Sequence, residues 1–78
     1  MKAAIMGAGS WGTVFGQVLC DAGTPAVLCS RRPELARAIN EQQENPAYLP
    51  GIALTPALRA VADPAEALDG ADLVVFAV

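Results

Sequence analysis

The chain has 78 residues, 54% of them apolar and 17% charged, with a mean hydropathy of +0.39; it is too apolar for a disordered segment and short enough for one domain at most. Five Lys and Arg against eight Asp and Glu leave a net charge of −3, which gives no electrostatic footprint for nucleic acid or for an anionic membrane. There is no histidine, which excludes a His-based triad, a His general base and a His metal site together.

Residues 2–6 form a short apolar run closed by Gly7, the pattern of a buried strand ending in a tight turn. From Trp11 the apolar residues Trp11, Val14, Phe15, Val18, Leu19 and Ala22 recur at three- and four-residue spacing, which predicts a helix with these side chains on its buried face. Gly23 closes that helix, with Pro25 just beyond. Residues 26–29 read as a second short strand. Pro33 suits a first helical turn, and Leu35, Ala36 and Ile39 give a buried face up to Gln42. Residues 44–56 hold Pro46, Pro50, Gly51 and Pro56 and sustain neither helix nor central strand. They form a long connection, and such connections in compact domains often carry function.

Residues 58–62 give a weakly signalled third strand. Asp63, Pro64 and Glu66 then mark a helix start, with an Asp cap, proline at the first helical position and a carboxylate three residues after the cap; this short helix ends near Gly70. Residues 73–78 are an unbroken apolar run of the kind seen in buried parallel strands. The sequence stops inside that run with no turn signal, so the chain reads as part of something longer. The alternation β-α-β-α-β-α-β predicts an α/β fold with a parallel sheet and right-handed crossovers.

No charge occurs between residues 3 and 20, yet Gly7, Gly9, Ser10, Gly12, Thr13, Gly16 and Gln17 make that stretch too polar and too glycine-broken for a signal peptide or a membrane span. No membrane insertion and a cytoplasmic location are expected. Cys20 and Cys29 lack both the CxxC spacing of a redox or zinc site and the density of a disulfide scaffold, so they read as reduced thiols, and no metal site is expected.

At the first strand-to-helix junction stands Gly7-Ala8-Gly9-Ser10-Trp11-Gly12, a GxGxxG inside a βαβ unit. Each glycine has a task in a dinucleotide site: Gly7 permits the tight turn, Gly9 lets backbone approach a pyrophosphate, and Gly12 lets the helix pack close to the sheet. The helix after it offers free N–H groups and the positive end of its dipole. The alternative is that the glycines serve helix packing alone, as in a Gly12 and Gly16 pair. After the second strand, where a carboxylate would grip the ribose of NAD, stands Ser30-Arg31-Arg32-Pro33-Glu34. Guanidinium groups there pair with a 2′-phosphate, which points to NADP, with NAD as a second cofactor. The alternative is a solvated pair beside a helix start, with Glu34 close enough to neutralise one arginine.

With these features together, the sequence resembles the bacterial-type NAD(P)-dependent glycerol-3-phosphate dehydrogenases. The matching segments are GAGSWGT at 7–13, SRRPE at 30–34, IN at 39–40, NPAYLPGIAL at 45–54 and ADLVVFAV at 71–78, and the resemblance runs over all 78 residues. It implies the interconversion of glycerol 3-phosphate and dihydroxyacetone phosphate, feeding glycerophospholipid synthesis. It further implies that Ser10 and Trp11 contact the cofactor at the glycine turn, that Arg31 and Arg32 meet its adenosine ribose end, and that Tyr48 approaches it from the loop. From the residues alone, Tyr48 is equally a half-buried loop anchor and Trp11 equally a packing residue. The family's catalytic lysines and substrate-phosphate site lie beyond residues 1–78; Lys2 is the single lysine here and opens the first strand, so no catalytic residue is assigned.

The expectation is therefore a Rossmann-type sheet of strand order 3-2-1-4, forming residues 1–78 of a truncated dinucleotide-binding domain, with the cofactor crevice between strands one and four. The triose phosphate would be a partner of the full-length enzyme only. The last strand is expected to be an exposed edge that invites a homodimer of the fragment. Two other readings share the glycine motif: a two-domain reductase of a small hydroxy or keto acid, and a non-enzymatic nucleotide-sensing module.

Overall fold

The apolar run after Lys2 becomes β1 (Ala3–Met6), in which Ala3, Ala4 and Ile5 are fully buried because parallel strands flank it on both sides. This computed structural model describes residues 1–77. After β1 come α1 (Ser10–Asp21), β2 (Ala26–Cys29), α2 (Pro33–Gln42), β3 (Arg59–Val61), α3 (Pro64–Leu68) and β4 (Leu73–Phe76). The sheet is parallel throughout, in the order β3-β2-β1-β4, which is the order expected from the sequence. The register places Ile5 between Leu28 of β2 and Val75 of β4. Leu35 and Ile39 of α2, with Leu54 and Leu58 from the long connection, complete the core around Ile5 and Leu28.

Helix α1 departs from its expected face. Its buried residues are Gly12, Thr13 and Gly16, while Trp11, Val14 and Val18 are 60%, 49% and 56% exposed and Phe15, Leu19 and Cys20 pack partly against the core. The cause is close approach. A Cβ at Gly16 would stand 2.9 Å from Leu58 Cδ1 and 3.0 Å from Ile5 Cδ1, so side chains of β1 and of the long connection already fill the space a larger residue would need. The small-residue stripe wins, and the neighbouring large apolar stripe faces outward, where Trp11 stacks on Phe15 with ring centroids 5.3 Å apart. The helix ends as the sequence implied. Thr24 N–H bonds to Leu19 O at 2.9 Å and Gly23 N–H to Cys20 O at 3.0 Å, with Gly23 at φ +91°, which is the Schellman arrangement.

Helices α2 and α3 match their signals: Leu35, Ala36 and Ile39 are buried, and the Asp63 carboxylate accepts from Ala65 N–H at 3.0 Å. Strand β3 is shorter than the expected 58–62, because Leu58 N–H is taken by Thr55 O in the preceding turn at 3.0 Å. Its outer edge is closed by a side chain. Asn40 Nδ2 donates to Ala60 O and Ala60 N–H donates to Asn40 Oδ1, both at 2.8 Å, so the amide of α2 takes the place of a further strand. Asn40→Ala is expected to cost about 1–3 kcal/mol for the two bonds lost, read as a lower urea midpoint with an unchanged slope.

Among the described residues the opposite edge is open. Leu73, Val74 and Phe76 of β4 are exposed, as expected for an edge strand, and β4 is held to β1 at its start by Lys2 N–H donating to the Asp72 carboxylate at 2.9 Å. The expected strand ran to Val78, which lies outside the described residues; among those described, β4 ends at Phe76. No helix of the described residues is long and apolar enough to cross a membrane.

Candidate functional site

The turn after β1 is shaped by glycine. Gly7 has φ +130°, and its N–H donates to Cys29 O at 3.0 Å, which continues the sheet bonding one residue past β1. Gly9 is the cap residue of α1 and supplies no side-chain cap, so the first-turn N–H groups of the helix are left to other partners. Thr13 holds the turn from behind: its N–H and its hydroxyl both donate to Gly9 O, at 3.0 and 2.7 Å.

Space around the three motif glycines sorts their roles. A Cβ on Gly7 would overlap the Ala77 carbonyl oxygen, and one on Gly12 would overlap the Gly7 carbonyl oxygen and stand 3.0 Å from Ala77 Cβ. These two glycines are required by the protein's own backbone. Around Gly9 a Cβ would meet nothing within 4 Å, so no protein neighbour demands glycine there. That open space belongs to a cavity of about 580 Å³, within the usual range of small-molecule sites, lined by Gly7, Ala8 and Gly9, by Cys29 at the end of β2 and Ser30 to Arg32 after it, and by Tyr48. The cavity extends from Phe76 at the end of β4 across the end of β1 to the end of β2, a wider span than the crevice between strands one and four expected from topology.

The far wall is the Ser30-Arg31-Arg32 segment. Ser30 is buried, with its N–H on Val61 O at 2.9 Å and its hydroxyl oxygen accepting Arg32 N–H at 3.1 Å, which turns the chain sharply and places both arginines at the rim. Arg32 Nε is 3.0 Å from Glu34 Oε1, and both side chains are largely exposed. The Glu34 carboxyl is held below its ordinary value by its own backbone N–H first and by Arg32 next. The Arg32 guanidinium is pushed up by Glu34, with a smaller contribution from the Tyr48 hydroxyl. Because the acid's value is lowered on folding, the pair's contribution is present above the ordinary carboxylate range and is lost as pH falls through the lowered value; exposure keeps it small. Arg31 lines the same cavity and has no ion pair among the described residues.

Of the residues singled out from the sequence, Gly7, Gly9, Arg31, Arg32 and Tyr48 converge on one cavity, while Gly12 lies behind it at the helix–sheet contact. Ser10 and Trp11 do not line it: the Ser10 hydroxyl donates to Tyr48 O at 3.0 Å, and Trp11 stacks on Phe15 on the outer face of α1. Tyr48 is 46% exposed and covers one side of the cavity. Burial pushes the Cys29 thiol above its ordinary value, with the Asp63 carboxylate adding to the effect, so this cavity-lining cysteine stays protonated at neutral pH. Among the described residues no group of three His, Cys, Asp or Glu is placed to hold a metal ion.

Two residues of the site were not indicated by the sequence reading. Thr13 and Asn45 are both completely buried, and Asn45 Nδ2 donates to Ala8 O at 2.8 Å and to Thr13 Oγ1 at 2.9 Å. Both lie in segments that carry the family resemblance, 7–13 and 45–54, but neither was assigned a role, since from the residues alone Asn45-Pro46 marks only a turn start.

The family model described as "NAD-dependent glycerol-3-phosphate dehydrogenase N-terminus" matches residues 2–78. A glycerol-3-phosphate dehydrogenase (NAD(P)+) of Streptomyces avermitilis is 56% identical over 78 residues, covering 100% of this chain and 23% of that protein. One from Thermobifida fusca is 56% identical over 99% of this chain and 23% of its own length. The crystal structure of glycerol-3-phosphate dehydrogenase from Coxiella burnetii superposes with a TM-score of 0.88 at 31% identity, over 96% of this chain and 23% of that one. The enzyme of Saccharomyces cerevisiae gives a TM-score of 0.90 at 28% identity, over 100% of this chain and 26% of that one. The chain thus spans about a quarter of the length of the proteins it matches.

Proposed function

This chain belongs to the NAD-dependent glycerol-3-phosphate dehydrogenase N-terminus family, and on that premise we propose that residues 1–78 are the cofactor-binding segment of a longer enzyme that interconverts glycerol 3-phosphate and dihydroxyacetone phosphate. The observation that carries the reading is Gly9: it faces open cavity space at an uncapped helix N-terminus, where a dinucleotide pyrophosphate finds free N–H donors and no Cβ in its way. When bound, the nicotinamide supplies the hydride for the C2 carbonyl of the triose phosphate. The residues present fix the cofactor's position. Gly7 and Gly12 bring the turn against the sheet, Gly9 and Ser10 offer amides to the pyrophosphate, and Tyr48 and the arginines border the adenosine end. Trp11, on the outer face of α1 beside the glycine turn and outside the cavity, is proposed to meet the cofactor only where it extends past that turn. Residues beyond this chain supply the triose phosphate site and the proton transfer.

Full-length protein titrated with NADPH and dihydroxyacetone phosphate is expected to lose absorbance at the nicotinamide band; no loss sinks the assignment. Feeding of glycerophospholipid synthesis follows from the same reaction. The cytoplasm is the proposed compartment, in line with two free cysteines. The open edge of β4 is proposed to be covered by further strands of the longer enzyme, so a homodimer formed there would belong to the short chain alone.

The two arginines divide their work. Arg32 is tied to Glu34, which leaves Arg31 as the principal partner of a 2′-phosphate and makes NADP the favoured cofactor, with NAD accepted. Arg31→Ala is expected to lower the NADPH-to-NADH affinity ratio by about tenfold, and Glu34→Gln to raise it by a few-fold by releasing Arg32. Calorimetric titration of both cofactors reads the ratio; a ratio unchanged in Arg31→Ala assigns that arginine to solvent.

A further inference from the structure

Asn45 lies in the long connection, yet it is completely buried and all of its amide is engaged. Nδ2 donates to Ala8 O and Thr13 Oγ1, and Oδ1 accepts Tyr48 N–H at 3.2 Å. The three partners belong to the glycine turn, to α1 and to the segment over the cavity. Among the described residues no peptide bond is cis, so within the Ala8–Gly9 unit the C=O and the N–H point in opposite directions. With Ala8 O drawn inward onto Asn45, Gly9 N–H is turned outward, and Gly9 lines the cavity. The next unit repeats the arrangement. Gly9 O is held by the N–H and hydroxyl of Thr13, so Ser10 N–H is turned away from Thr13 in the same way. Thr13 Oγ1 accepts from Asn45 while donating to Gly9 O, which makes the two clamps one chain of bonds.

We infer that Asn45 is a positioning residue of the pyrophosphate site: it sets the two peptide planes whose amides receive the phosphates, and it ties the Tyr48 segment to them so that both walls of the cavity form one body. This rests on the cofactor reading above. A second bond from the Ser10 hydroxyl to Tyr48 O, at 3.0 Å, joins the same two segments from the outside. The role differs from a purely structural one, because it acts on ligands that carry a pyrophosphate and spares those that do not.

Asn45→Asp keeps the volume and the acceptor for Tyr48 N–H while removing both donors, and it sets a carboxylate against Ala8 O. In the full-length protein, NADPH affinity is expected to fall about tenfold or more, while adenosine 2′-monophosphate, which has no pyrophosphate, binds within about twofold of wild type. If both ligands weaken in parallel, or neither does, the inference is overturned. Wild-type protein that melts cooperatively but binds neither ligand overturns the cofactor reading itself. Should Asn45→Asp fail to fold, Thr13→Val and Thr13→Ser decide: the valine removes the hydroxyl link and is expected to lose NADPH selectively, and the serine, which retains it, is expected to restore it. Equal NADPH affinity in the two Thr13 variants would equally overturn the proposal.

Discussion

Alanine at Gly7 is expected to destabilise the fold by about 3–6 kcal/mol and at Gly12 by about 2–4 kcal/mol, whereas alanine at Gly9 leaves stability nearly unchanged and weakens NADPH binding at least tenfold. At Gly7 two costs combine: φ +130° is strained for any L side chain, and the Cβ would overlap the carbonyl of Ala77, whose own N–H is bonded to Met6 O at 3.1 Å and so has little freedom to withdraw. At Gly12 the obstacle is also backbone, the Gly7 carbonyl, so relief requires α1 to lift from the sheet. A chain this short has roughly 4–12 kcal/mol of total stability, so either variant removes a large share of it. Gly9 has φ −77°, and a Cβ there would meet nothing within 4 Å among the described residues, so an added methyl meets only what binds there. Urea unfolding by circular dichroism alongside NADPH titration separates the classes. Wild-type NADPH affinity in Gly9→Ala would show that no phosphate approaches that backbone.

Ile5→Ala is expected to cost about 2–5 kcal/mol, and Ile5→Val about 0.5–1.5 kcal/mol, with a Tm drop of roughly 10–30 °C for the alanine. Ile5 is fully buried on the central strand and reaches the space opposite both small residues of α1: its Cγ2 lies 3.3 Å from a Cβ position on Gly12, and its Cδ1 lies 3.0 Å from one on Gly16. Glycines on the helix leave nothing nearby to refill the void, so the cavity persists. Val18→Ala is the contrast. That side chain is more than half exposed, and its loss is expected to change stability by no more than about 0.5 kcal/mol. Thermal unfolding of the two alanine variants tests which stripe of α1 faces the core; equal effects would return Val18 to the buried face.

The architecture was legible because its signals are local. Gly7 ends an apolar run, Gly23 follows a periodic one, Pro33 and Pro64 open helices, and Asp63 caps one, each acting through the φ/ψ limits and hydrogen-bonding groups of its own few residues. Alternation of strand and helix with right-handed crossovers then leaves few sheet orders open, and β3-β2-β1-β4 is among them. The glycine motif and the arginine pair were legible for the same reason, since each lies within six residues of chain beside a recognisable strand end.

Periodicity located α1 but did not choose its face. Two stripes with the same spacing run along that helix, one of Trp11, Val14 and Val18 and one of Gly12 and Gly16, and the choice depended on how closely the backbone could approach Ile5 and Leu58. The clamps were equally non-local. Asn45 meets Ala8 across 37 residues of chain and Asn40 meets Ala60 across 20, and no pattern within a window of sequence reports which buried carbonyl an amide will find. Residue order thus prescribes elements and their succession, because backbone conformation answers to neighbours in the chain. Packing decides which helix stripe is buried and which polar groups pair, because close contact and hydrogen-bond satisfaction answer to neighbours in space.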